Sequence, residues 1–265
     1  SGLVDQIYEN CCTYCAGKPF ANDNKNIVGA HTEYAAYLRG QYDVVLNLLE
    51  QRLPGGRQAL MNALVSALKP NFNLAGATEG HVTTNYDSVF HEAANRRKIS
   101  LENRVCSAPD LPYLQGGQWD SLVFLHGLLS DVQARSGKRL VLTSGDFGAA
   151  YLMERWASRF VSDLFLQYDV CFVGYSANDP VMLYILSALQ LSNSGKKIWV
   201  FTGYKSEAER SAAEAGWISR GITPVFYDCC TGHQRLYDTL TRWAELYKLG
   251  IDGKLELVEN YAGRN

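Results

Sequence analysis

Three short polar clusters each close an apolar run: Thr83-Thr84-Asn85-Tyr86-Asp87, then Leu125-His126-Gly127, then Gly174-Tyr175-Ser176-Ala177-Asn178-Asp179-Pro180. Their residue types can do chemistry. An amide such as Asn85 can fix a sugar hydroxyl and a water, an imidazole such as His126 can take a proton near neutral pH, and a glycine such as Gly174 lets the backbone approach a ligand. In an open α/β sheet, ligands bind in the crevice at the carboxyl ends of the strands, where these clusters fall. Each cluster also has an ordinary structural use. Asp87 can cap the following helix and Asn85 can bond the turn, while His126 can be a satisfied, half-buried side chain. Asn178-Asp179-Pro180 makes a helix start with Asp as N-cap and Pro at the first helical position.

The elements that must position these residues read as follows. Gly2–Ala16 looks amphipathic and helical, with Leu3, Ile7 and Tyr8 on one side, and Asn22–Ala30 is a loop. From His31 to Leu68 the apolar spacing is helical and breaks at Pro54-Gly55-Gly56, giving a two- or three-helix module. Beyond Pro70 strands and helices alternate. Strands are expected at His81–Thr84, Asn103–Ser107, Ser121–Leu125, Asp169–Val173, Lys197–Thr202 and Ile222–Tyr227. Helices are expected at Asp87–Arg96, Phe147–Tyr168 (one long helix capped by Asp146), Pro180–Leu191, Glu207–Gly216 and Gln234–Leu249. This alternation predicts an α/β fold, a Rossmann-like parallel sheet with helices on both faces and an inserted N-terminal helical module. The whole chain, 1–265, reads as one domain, with the helical module over 1–76 and the sheet core over 77–265.

Composition narrows the function classes. With 265 residues and 47% apolar content the chain can bury a sizeable core, and a formal charge of −2 offers no basic field for nucleic acid. No apolar stretch approaches the roughly 18 residues a membrane span needs, and no secretory leader opens the sequence. A cytoplasmic protein with reduced thiols is therefore expected, Cys106 and Cys171 serving as small core hydrophobes.

The order of the three clusters resembles the signature of the sirtuin-like NAD-consuming family, Thr-x-Asn-x-Asp, then His-Gly, then Gly-x-Ser, over about Val82 to Tyr247. The resemblance implies that NAD is the substrate and that the bond between nicotinamide and ribose is broken through an oxocarbenium-like ribose. By the same resemblance Asn85 and His126 are the catalytic pair, with Asn85 holding ribose and water and His126 acting as a base of pKa near 7. Thr84 and Asp87 would meet the nicotinamide-ribose region, and Gly174, Ser176, Asn178 and Asp179 the phosphates or the adenine ribose. Family members open with a strand and a Gly-Ala-Gly-x-Ser phosphate loop commonly followed by Ser-Gly-Leu. Because this sequence starts at Ser1-Gly2-Leu3, the residues holding the diphosphate are expected to precede it.

Protein-deacylating sirtuins carry a zinc ribbon of two Cys-x-x-Cys pairs after the His-Gly element. Here Cys171 is the only cysteine between His126 and Ser176, and Cys12-Thr13-Tyr14-Cys15 has no second pair, so no zinc is expected. The sequence thus resembles the zinc-less bacterial branch, NAD glycohydrolases of antiphage defence that are fused to or bound by a sensor. A protein deacylase and a non-catalytic nucleotide-binding or sensing module are the alternatives. A third is a serine hydrolase with Ser176 as nucleophile and Asp228 and His233 behind it, weakened by Asn178 where a nucleophile elbow needs glycine. The tyrosines of the His31–Leu68 module suit either self-association into a homo-oligomer or ordinary core packing. Asp146-Phe147-Gly148 spells a kinase triplet, but the other kinase motifs are missing and it reads as a helix start.

Overall fold

A computed structural model describes residues 58–67, 80–114, 119–134, 137–142, 144–174, 180–189 and 195–262. The Gly2–Ala16 helix, Cys12 and Cys15, the His31–Leu68 module before residue 58, and Ser176, Asn178 and Asp179 lie outside them.

The elements run α1 (Gln58–Ala67), β1 (His81–Thr83), α2 (Val89–Arg96), β2 (Val105–Ser107), β3 (Leu122–Phe124), α3 (Leu129–Ala134) and α4 (Ser144–Phe147). A π-helical turn (Gly148–Met153) leads into α5 (Trp156–Gln167), β4 (Val170–Val173), α6 (Pro180–Leu189), β5 (Ile198–Tyr204), α7 (Glu207–Ile218), β6 (Thr223–Asp228), α8 (Gln234–Lys248) and α9 (Ile251–Ala262). All strand pairs are parallel. They form two three-stranded ladders, in the orders β1-β3-β2 and β4-β5-β6.

Parallel strands covered on both faces need apolar side chains at every position, and β3 shows this: Leu122, Val123 and Phe124 are all buried. Because successive side chains point to opposite faces, Val123 and Leu125 join one core and Leu122 and Phe124 another. The first core is roofed by α5, α6 and α7 through Phe160, Val161, Leu186 and Trp217, and it also contains Val200 of β5. One continuous core therefore underlies both ladders. On the opposite face α2 contributes the stripe Val89, Phe90, Ala93 and Ala94, and α1 packs against both α2 and α8 through Leu60 and Leu64. The fold is the expected α/β sandwich with a Rossmann-like parallel core.

Three local expectations differ. The single helix expected over Phe147–Tyr168 is broken. Glu154 N donates to Ala149 O at 2.8 Å, a bond one residue longer than α, and Arg155 takes φ +61° before α5 restarts. Strand β4 is half-buried rather than buried, and Cys171 on it is exposed rather than a core residue, because β4 borders an open cleft. Helix α9 has no counterpart in the sequence reading. Gly250, at φ +61°, reverses the chain after α8 and lets a second helix fold back.

Gly127 follows the His126 backbone at φ +93°, and a Cβ there would lie 2.2 Å from the Arg139 carbonyl oxygen. Both the backbone angle and the space demand glycine. Gly127→Ala is expected to destabilise the fold by at least about 2 kcal/mol, read as a lower urea midpoint at unchanged m-value. A midpoint equal to wild type would show that the Arg139 segment yields freely.

Candidate active site

Strand β1 ends at Thr83, and its register with β3 pairs Thr83 with Phe124. The ladder continues one bond further, Leu125 N donating to Thr83 O at 2.9 Å, and Asn85 and His126 each follow two residues after the carboxyl end of β1 or β3. The turn after β1 is held by Asn85 N donating to Thr83 Oγ1 at 3.1 Å, and Asp87 Oδ1 accepts from Val89 N at 3.1 Å to cap α2. Asp87 is 4% exposed and precedes Ser88, the N-cap residue of α2, whose own side chain makes no cap bond.

A cleft of about 760 Å³ separates β1 from β4. Thr83, Thr84 and Asn85 line it from one side and Val173 and Gly174 from the other, while Trp119, Leu164, Phe165 and Trp243 give it apolar walls. Gly174 sits at φ +67°, a conformation that explains glycine at this strand end. Of the residues singled out from sequence, the cleft thus brings together Thr84, Asn85 and Gly174. His126 and Asp87 are not among its lining residues.

His126 lies beside the cleft in an aromatic cage. Its Nε2 is 2.9 Å from the Tyr151 hydroxyl, and the Phe147 ring stands edge-on to it with centroids 5.0 Å apart. Burial pushes its pKa down to about 4, well under the near-neutral value expected, because a cationic ring here would lose its water. The imidazole is therefore neutral at pH 7, the form able to accept a proton.

Residues the sequence reading left aside hold this arrangement together. Tyr86 Oη donates to Val141 O at 2.7 Å, Val141 N donates to His126 O at 2.9 Å, and Leu129 N donates to Tyr86 O at 2.9 Å. Tyr151 and Phe147 carried no motif signal, although Phe147 stands in the triplet set aside as a kinase look-alike. The hydrolase alternative loses its Asp–His pair: His233 Nδ1 bonds the Tyr227 hydroxyl at 2.8 Å, and Asp228 accepts from Cys230 N at 2.8 Å. Among the described residues no group of three or more His, Cys, Asp or Glu side chains is placed to hold a metal ion. No described helix is long and apolar enough to cross a membrane.

Residues 80–225 match the family model described as a SIR2-like domain, more than half of the chain and a stretch that contains strands β1 to β5, most of the cleft lining and His126. The chain belongs to the SIR2-like domain family. It is also 30% identical over 186 residues to the uncharacterized protein y4cA of Sinorhizobium fredii. That match covers 68% of this chain but spans only 15% of the relative.

The depressed pKa of His126 makes a stability prediction. A histidine kept neutral by burial contributes stability that is fully present above its unfolded value near 6.5 and is lost as pH falls toward about 4. His81, lowered to about 4 by burial and then by the charge of Arg104, acts in the same direction. Between pH 6.5 and 4, unfolding free energy is expected to fall by up to about 1.4 kcal/mol per pH unit from buried His126, with a smaller contribution from half-buried His81. His126→Gln should flatten that slope. An equally steep slope in the variant would mean that His126 does not titrate with unfolding.

Proposed function

We propose that this SIR2-like domain is an NAD+ nucleosidase, cleaving the nicotinamide–ribose bond to release nicotinamide and ADP-ribose. The reading is supported by Asn85 lining the cleft just after β1 and by a buried, neutral His126 just after the neighbouring strand β3. Nicotinamide leaves as a neutral group, so the reaction needs no strong acid at the leaving group. It needs a held ribose and a water whose proton is taken as the C–O bond forms. Asn85, lining the cleft, would hold the ribose and that water.

His126 would take the proton. A water adding to an oxocarbenium-like carbon becomes strongly acidic, so a neutral imidazole of low pKa can still accept from it. Thr84 and Asp87 would serve the nicotinamide-ribose end. Gly174, Ser176, Asn178 and Asp179 would meet the remainder of the dinucleotide. We place the activity in bacterial antiphage defence in the cytoplasm, switched on by a fused or bound sensor. The small share of the Sinorhizobium relative that matches is consistent with such additional domains. A homo-oligomer belongs to the same proposal. NAD-dependent deacylation is less favoured, since Cys171 is the only cysteine between His126 and Ser176 and cannot build a zinc ribbon.

Full-length protein incubated with NAD is expected to release nicotinamide, measured by chromatography, without need of an acylated peptide. Asn85→Ala and His126→Ala should each lower kcat by roughly 10²- to 10⁴-fold with little change in KM. Ser176→Ala should raise KM and spare kcat, whereas loss of all turnover would point to a serine nucleophile. Release that depends on acylated peptide would replace this reading with the deacylase.

A further inference from the structure

The π-helical turn has no role in the reading above, yet its one inward aromatic reaches the proposed base. Tyr151 is 2% exposed and its hydroxyl lies 2.9 Å from His126 Nε2. Its ring stacks on Phe147 with centroids 5.8 Å apart and planes 9° from parallel, and both rings stand edge-on to the imidazole. A π turn holds one more residue than an α turn, which rotates the side chains that follow it. Here the turn is secured from outside. Ser158 Oγ donates to Tyr151 O at 2.8 Å, so the carbonyl displaced from α geometry has a partner. Arg139 grips Glu154 with two bonds, of 2.8 and 2.6 Å, where the turn ends. Turns of this kind recur at functional sites.

A neutral imidazole carries one proton and one lone pair, and a hydroxyl beside one nitrogen can either accept its N–H or donate to its lone pair, so the direction of the bond and the tautomer are set together. Nε2 is occupied by Tyr151, and no other hydrogen bond joins the ring to a described residue. If His126 is the base, as the proposed function requires, its free lone pair must be on Nδ1 and its proton on Nε2. We propose that Tyr151, aimed by the π-helical turn, is a positioning residue that fixes His126 as the Nε2–H tautomer and leaves Nδ1 as the basic nitrogen. In this arrangement Nε2–H donates to the Tyr151 oxygen. When Nδ1 takes a proton from water, that bond strengthens and shares the new charge.

The test is long-range ¹H–¹⁵N spectroscopy of the full protein labelled in histidine, at pH 7, beside nicotinamide release from NAD. Wild type is expected to show His126 as the Nε2–H form. Tyr151→Phe keeps the ring stack and removes the hydroxyl, so the Nδ1–H form should appear, kcat should fall about 10-fold or more, and KM should stay within about 2-fold. An Nδ1–H tautomer in wild type overturns the proposal even if the variant fails to fold. So does a folded Tyr151→Phe protein with unchanged tautomer and unchanged kcat. A wild type that releases no nicotinamide overturns the hydrolase reading instead, and the tautomer in the same sample still upholds or overturns the part given to Tyr151.

Discussion

The main chain of Val141 ties the two catalytic candidates to one scaffold. Its carbonyl takes the Tyr86 hydroxyl and its N–H is donated to the His126 carbonyl, so the turns after β1 and β3 are held by one residue from outside the sheet. Backbone bonds of this kind are individually modest, about 1 kcal/mol net, but leaving one unmade in a buried site costs more. Val141 is itself 2% exposed within the main core. Packing thus sets the position of the 139–142 segment, and that segment sets the two turns. Gly127 belongs to the same constraint, since only a residue without Cβ lets the Arg139 carbonyl approach.

Among the described residues the edge strands β1 and β4 face each other across the cleft, and helices on each face pack against both ladders. Val123 and Val200, one from each ladder, lie in a single apolar cluster with α5 between them, and Leu60 and Leu64 of α1 join the opposite faces. Polar residues line both ends, Thr84 and Asn85 at the carboxyl ends of the strands and Gln167, Asp169 and Lys196 at the amino ends, with aromatic and aliphatic side chains between them.

Electrostatics at His126 follow from the same packing. Phe147 and Tyr151 exclude water from the ring, and desolvation alone accounts for its low pKa. The ring is thereby neutral and oriented before any substrate arrives. An exposed histidine at this strand end would titrate near 6.5 and rotate freely. Keeping the His126 ring neutral by burial thus costs stability at acid pH, the same energy seen from the unfolding side.

Much of this protein was legible in its sequence. The β/α alternation follows from apolar runs and turn residues, which are local properties, and the expected strands lie within a few residues of those found. The strand-end clusters were visible because side chains able to act must sit where strands stop, and Asp87 capping α2 followed from an Asx residue two positions before the first helical N–H. Other features depend on contacts across the chain. Tyr151 lies 25 residues from His126, in a stretch whose periodicity reads as plain helix, and the π turn is flanked by contacts to Ser158 and Arg139 that no local pattern announces. Cys171 looked like core because a four-residue apolar strand carries no sign of being at a ladder's edge. Sequence fixes what each segment can become. Only the packed structure decides which edge stays open, which ring meets the histidine, and therefore which proton it carries.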